Sequence, residues 1–148
     1  YVDYLVAHSE FGLVTSDEPG NWCLGDWCVI NTKSEVPAEF VNTYYAIKQI
    51  EIYCQISEIL GETEKCDSFL CESKKMREAL CREYFNSESG DFCSGIEGAN
   101  VFAADIGLGD DRLIGLIKKK YTELDHFDTG MFSTPLLLEF LFDNEMEV

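Results

Sequence analysis

Residues 37–60 place Phe40, Val41, Tyr44, Tyr45, Ile47, Ile50, Tyr53, Cys54 and Ile56 around most of a helix's circumference. Only a narrow stripe of Lys48, Glu51, Gln55 and Glu58 is polar. A surface helix has one apolar face, so a helix apolar nearly all round must be covered on several sides. Pro37 suits its first turn, and Gly61 supplies the stop. The next helix, expected over 63–85, is of another kind. Cys66, Phe69, Leu70, Met76, Leu80 and Tyr84 form one stripe, opposite Lys65, Glu72, Lys75, Glu78 and Arg82. Such a helix covers a core from outside. An inner helix joined by a short link to an outer one is an αα-hairpin.

The rest of the chain repeats this alternation. Residues 86–90 read as a polar turn and 91–95 as a short extended return. The helix expected over 97–106 is rich in small residues, which let helices approach closely at a crowded centre. Gly107 and Gly109 end it, and Asp110 can cap a helix over 111–121. Lys118, Lys119 and Lys120 fall in its last turns, where cations suit the helix dipole, and read as a solvated helix end. After a loop over 124–130, Thr134 is the expected N-cap and Pro135 the first helical residue. The final helix, with Leu136, Leu137, Leu138, Phe140, Leu141 and Phe142, is again apolar nearly all round. At the other end, Tyr1, Val2, Leu5, Val6 and His8 keep helical spacing, so residues 1–11 read as the end of a helix stopped near Gly12. A chain that opens inside one helix and closes just after another reads as a piece of something longer. No strict repeat supports a tetratricopeptide-type array. The expected fold is all-α: helical hairpins closing into a toroid, here incomplete, as one partial domain over 1–148.

One segment, 15–36, has neither period. It contains Asn-Trp-Cys-Leu-Gly-Asp-Trp-Cys at 21–28, with both tryptophans of the chain. Loops this long are functional or disordered, and Trp22, Trp27, Val29 and Ile30 argue for order. The expectation is an ordered loop presenting Asp26 and Trp27, with Gly25 free to take a turn closed to other residues.

The net charge is −17, from 28 acidic against 11 basic residues. That excludes a basic nucleic-acid footprint and an anionic membrane surface, and leaves a neutral partner such as a sugar. No apolar run is long enough to span a bilayer. The seven cysteines are odd in number and lack a Cys-x-x-Cys pair. Three (Cys54, Cys66, Cys81) fall at apolar helical positions, so free thiols and a reducing, cytoplasmic compartment are expected. With two histidines and no zinc-type spacing, neither a metal nor a cofactor is expected.

A toroid of inner helices gathers its loops around one pocket. Three polar and aromatic segments fall at such ends: Asp26 and Trp27; Glu97 and Asn100; and the loop carrying His126, Asp128, Thr129 and Gly130. Carboxylates beside tryptophan suit sugars, because the ring stacks on C–H bonds while acceptors bind hydroxyls. Each has a plainer reading: a core tryptophan, a turn aspartate, a helix-capping Glu97 and an exposed loop histidine.

The motifs Gly-Asp-Trp at 25–27, Pro-x-x-Phe-Val-Asn-Thr-Tyr-Tyr at 37–45, Ile-Leu-Gly at 59–61, Gly-Ala-Asn-Val-Phe-Ala-Ala-Asp-Ile-Gly-Leu-Gly at 98–109 and Asp-Thr-Gly-Met-Phe-Ser-Thr-Pro at 128–135 resemble the catalytic domain of bacterial α-L-rhamnosidases, in order and with similar gaps. The resemblance implies an (α/α)6 toroid and hydrolysis of terminal α-L-rhamnose with inversion. It implies that Trp27 packs against the rhamnose and that Asp26 and the loop of Asp128, Thr129 and Gly130 lie near the pocket. The family's general acid sits in an Arg-x-Glu-x-x-Gly-Trp-type motif and its base in a Trp-Glu-Arg-type motif. Neither motif occurs here, and Glu139, on a leucine-rich helix, does not replace them. The expectation is part of a rhamnosidase domain, without the catalytic pair and inactive alone, whose partners are a rhamnose-containing glycoside and the rest of its own domain. The alternatives are a toroid that binds carbohydrate without cleaving it, another glycosidase specificity on the same fold, or a protein-binding scaffold, in which Trp27 would be buried.

Overall fold

The computed structural model describes residues 1–15, 25–30, 32–124 and 126–146. Trp22 and Cys23 lie outside the described residues, as does Asp125. The helices are α1 (Val2–Ala7), α2 (Ala38–Leu60), α3 (Cys66–Tyr84), α4 (Glu97–Asp105), α5 (Asp111–Glu123) and α6 (Ser133–Asp143). Two small antiparallel ladders join them. Strand β1 (Ser9–Glu10) pairs with β2 (Leu13–Val14), and β3 (Phe85–Asn86) pairs with β4 (Asp91–Phe92).

The alternation holds. Helix α2 buries Phe40, Val41, Tyr44, Ala46, Ile47, Ile50 and Cys54, and α3 covers it through Phe69, Met76, Ala79 and Leu80. The two run antiparallel, with Tyr84 donating to Glu39 at one end and Arg77 paired with Glu51 further along. Helix α5 covers α4 through Leu113 and Ile117, and α4 packs on both α2 and α6. The described residues therefore form two complete hairpins, α2/α3 and α4/α5, and the inner helix of a third. Helix α4 is buried from Glu97 through Ala103, as its small residues led us to expect.

The inner helices run parallel. Gly98, at the start of α4, adjoins both Val36, just before α2, and Ser133, at the start of α6. Further along, Asp105 accepts from the Tyr44 hydroxyl at 2.7 Å and pairs with Lys48 at 3.0 Å. Three inner helices thus begin at one rim.

Two helix ends differ from the expectation. Helix α1 stops at Ala7, and a hairpin follows where more helix was expected. Phe11 and Gly12 both take left-handed φ, 52° and 88°, as a tight turn between two strands requires. Thr43 anchors this hairpin by accepting the Val14 N–H at 2.9 Å. Helix α6 starts at Ser133, not after Thr134. Its cap comes from elsewhere in the chain, as described below. Thr134 instead donates to the Gly130 carbonyl at 2.7 Å.

The inner helices also carry apolar side chains that the described residues leave partly or largely exposed. Tyr45, Ile52, Ile56, Ile59 and Leu60 of α2, and Leu138 and Phe142 of α6, are exposed, Ile59 to 84% and Phe142 to 81%. This is the open face of an incomplete toroid.

Candidate functional site

Asp26 sits at the rim and is fully buried. Its Oδ1 accepts the Phe132 and Ser133 N–H groups at 3.0 and 3.1 Å, and its Oδ2 accepts the Gly130 N–H at 3.0 Å and the Ser133 hydroxyl. The first N–H groups of a helix have no partner within it and carry its positive end. Asp26 supplies those partners for α6 from another part of the chain. Its carboxylate is wholly engaged by the protein and is not presented to a ligand.

This packing dictates two glycines. A Cβ on Gly130 would lie 2.5 Å from the Asp26 carboxyl carbon, and one on Gly98 would lie 2.6 Å from Oδ2. Gly25, with φ 61°, makes the turn that its position before Asp26 predicts.

Trp27 follows on the outside. Its carbonyl accepts the Met131 N–H at 2.6 Å, which ties the tryptophan loop to the loop before α6. The side chain is 51% exposed. It is an open aromatic surface at the rim rather than a core tryptophan, which disfavours the protein-binding scaffold.

Glu97, Asn100 and Asp128 form a second group. Lys120 pairs with Asp128 at 2.6 Å and with Glu97 at 3.4 Å. Tyr121 donates to Asp128 at 2.6 Å. Asn100 donates to Glu97 at 3.4 Å and accepts the Phe92 N–H at 2.8 Å. Burial pushes the Glu97 carboxyl up, and Lys120 and Asn100 offset only part of this. Burial also acts to raise Asp128, but the bonds from Lys120 and Tyr121 outweigh it and leave that carboxyl below its usual range. The network pins α4, α5 and the loop to one another. Glu97 Oε1 is buried and has no hydrogen-bond partner among the described residues.

The structure therefore divides the candidate residues. Asp26 and Gly130 are one unit, with Trp27 on its surface. Thr129 is buried and shares a hydroxyl–hydroxyl bond of 2.8 Å with Thr134. Glu97, Asn100 and Asp128 form the other unit, turned toward α5. His126 is exposed, as is Glu139 on α6. The sequence reading missed Lys120, which is not a solvated lysine but the cation between two carboxylates. Its spacing from Leu113 and Ile117 places it on the buried stripe of α5, a signal available in the sequence. Ser133 was missed because its partner is remote.

Parallel inner helices backed by outer ones, with loops gathered at one rim and an open tryptophan there, define a segment of a helical-hairpin toroid. Residues 1–147 match the bacterial alpha-L-rhamnosidase six-hairpin glycosidase domain, and the chain belongs to that family. The α-L-rhamnosidase of Streptomyces avermitilis, solved in complex with L-rhamnose, is 25% identical and superposes with a TM-score of 0.74 over 97% of this chain. The α-L-rhamnosidase of Dictyoglumus thermophilum is 18% identical, with a TM-score of 0.76 over 98% of this chain, and shares the fold. The chain spans 14% and 17% of those two proteins. No curated protein sequence matches it.

Proposed function

We propose that the protein to which this chain belongs releases terminal α-L-rhamnose from glycosides by inverting hydrolysis. The observation that carries this reading is the family match over nearly the whole chain. In such a reaction one carboxylic acid protonates the leaving oxygen while a carboxylate activates water, the two standing roughly 6.5–9.5 Å apart. Among the described residues, the candidate carboxylates have other engagements. Asp26 is consumed in capping α6, Glu97 and Asp128 are held by Lys120, and Glu139 is an exposed residue of the leucine-rich α6. This chain builds the wall instead. Trp27 offers its ring to the C–H face of the sugar. Asp26, Gly98, Gly130 and Ser133 are positioning residues that hold the rim beneath it. The isolated chain is expected to be inactive.

The test is release of p-nitrophenol from p-nitrophenyl α-L-rhamnoside by the full-length protein and its Trp27→Ala variant. Activity that falls about five- to tenfold with the variant, the fold intact, supports the reading, since losing an aromatic contact of about 1–1.4 kcal/mol has that effect. Full activity without Trp27 contradicts the stacking role. No release by the wild type points to another sugar, or to a toroid that binds carbohydrate without cleaving it.

A further inference from the structure

Residues 128–131 are anchored one after another. Asp128 is held from α5, where Lys120 pairs with its Oδ2 at 2.6 Å and the Tyr121 hydroxyl donates to its Oδ1 at 2.6 Å. Thr129 shares its hydroxyl–hydroxyl bond with Thr134, and the Gly130 N–H goes to Asp26. At the far end, the Met131 N–H holds the Trp27 carbonyl at 2.6 Å. Asp128 and Met131 are joined by at most about 11 Å of chain. The anchors between them do not interrupt the link, because Asp26 and Thr134 belong to the same unit as Trp27. Lys120 and Tyr121 reach that unit from an outer helix.

Lys120 is suited to this. It follows Leu113 by seven positions and Ile117 by three, so it shares their buried stripe. Its side chain is 29% exposed and that of Asp128 21%, so solvent and salt screen the pair less than an open surface pair. The same ammonium lies 3.4 Å from Glu97 at the start of α4. One cation thus ties an inner helix, an outer helix and the loop together. The Asp128 charge acts against an ionised Glu97, so loss of Lys120 removes an attraction and leaves that repulsion unbalanced. The Trp27 ring is half exposed. The hold on its backbone, more than packing around the ring, therefore decides where it stands.

We propose that Lys120 and Tyr121, on an outer helix, are positioning residues that place the Trp27 ring at the sugar site through Asp128 and Met131. The inference deepens the rhamnosidase reading and rests on it.

The test uses the full-length protein and p-nitrophenyl α-L-rhamnoside. Tyr121→Phe, Lys120→Met and Lys120→Arg are each made in the wild type and in Trp27→Ala. Tyr121→Phe removes only the hydroxyl and keeps the ring packed against Phe127. A stacking contact made alike to substrate and transition state acts on KM. Tyr121→Phe and Lys120→Met should raise KM about two- to fivefold with kcat unchanged, less than Trp27→Ala does, because they act through it. Lys120→Arg, which keeps the cation, should restore most of the loss. In the Trp27→Ala background the same changes should alter KM by less than about twofold. An unchanged KM, or an equal rise with and without the Trp27 ring, overturns the proposal. Hydrogen exchange at the Met131 amide, read against the amides of α2 that report global opening, separates this failure from that of the rhamnosidase reading. If the wild type releases no p-nitrophenol, that reading fails, while faster Met131 exchange in Tyr121→Phe still supports the hold of α5 on the Trp27 loop. Unchanged exchange overturns that hold, with or without activity.

Discussion

At the residue scale, Asp26 does more for the fold than any side chain near it. Asp26→Ala leaves the Phe132 and Ser133 N–H groups without their acceptor and the Ser133 hydroxyl without its own, while the Gly130 N–H keeps only the Ser133 hydroxyl, at about 1–3 kcal/mol for each buried group left unpaired. It is expected to abolish soluble folded protein, whereas Asp26→Asn, which keeps the shape and one acceptor, lowers stability by about 2 kcal/mol in a denaturant titration. The sequence marked Asp26 as a loop aspartate beside tryptophan, but its partner Ser133 is 107 positions away and no local pattern connects them. Glu97 and Asp128 respond to pH in opposite senses. Asp128 is held below its usual range by Lys120 and Tyr121, so its contribution is present above its unfolded pKa and is lost as pH falls through the lower folded value. Glu97 has a raised folded value, chiefly from burial, so the fold gains stability as pH falls through it, and the ionised form is a cost at neutral pH. Glu97→Gln is therefore expected to raise Tm at pH 7 and to lose that advantage near pH 4. A lower Tm at pH 7 would mean that the bond to Lys120 outweighs burial.

At the scale of elements, the two kinds of helix were legible because hydrophobic spacing reports how many sides of a helix are covered. The ends were less so. Nothing in residues 1–11 distinguishes a longer helix from a helix followed by a hairpin, since the turn at Phe11 is set by packing of Gly12 against Ala79 of α3. Thr134 and Pro135 look like a local cap, and the true cap is remote. Two glycines in the fold have different reasons and should respond differently to substitution. Gly61 ends α2 with φ 74° and open space around it. Gly61→Ala should cost about 1 kcal/mol, with Gly61→Asn milder, since only the left-handed backbone is at stake. Gly98 does not have the left-handed backbone of Gly61, but its Cβ would strike Asp26, Val36 and Ser133 within 3.0 Å. Gly98→Ala should cost about 2 kcal/mol or more, as overpacking does, with Asn no better. Chemical denaturation of the variants distinguishes the two cases.

At the scale of the molecule, the exposed apolar side chains of α2 and α6 face the space that further hairpins fill in a closed toroid. Exposed apolar side chains in this number promote association in water. The isolated chain is expected to self-associate, as light scattering or sedimentation would report, despite a charge of −17 that opposes it. A stable monomer would count against the incomplete toroid. In the proposed function this chain forms the wall of a rhamnose site, with Trp27 as its contact surface and Asp26 as the support behind it. A crystal structure of the full-length protein with L-rhamnose tests that most directly. The Trp27 ring is expected within about 4 Å of the sugar's C–H face, with Asp26 still bonded to Ser133 and not touching the ligand. Rhamnose bound elsewhere, with the Trp27 ring packed against protein, would contradict it.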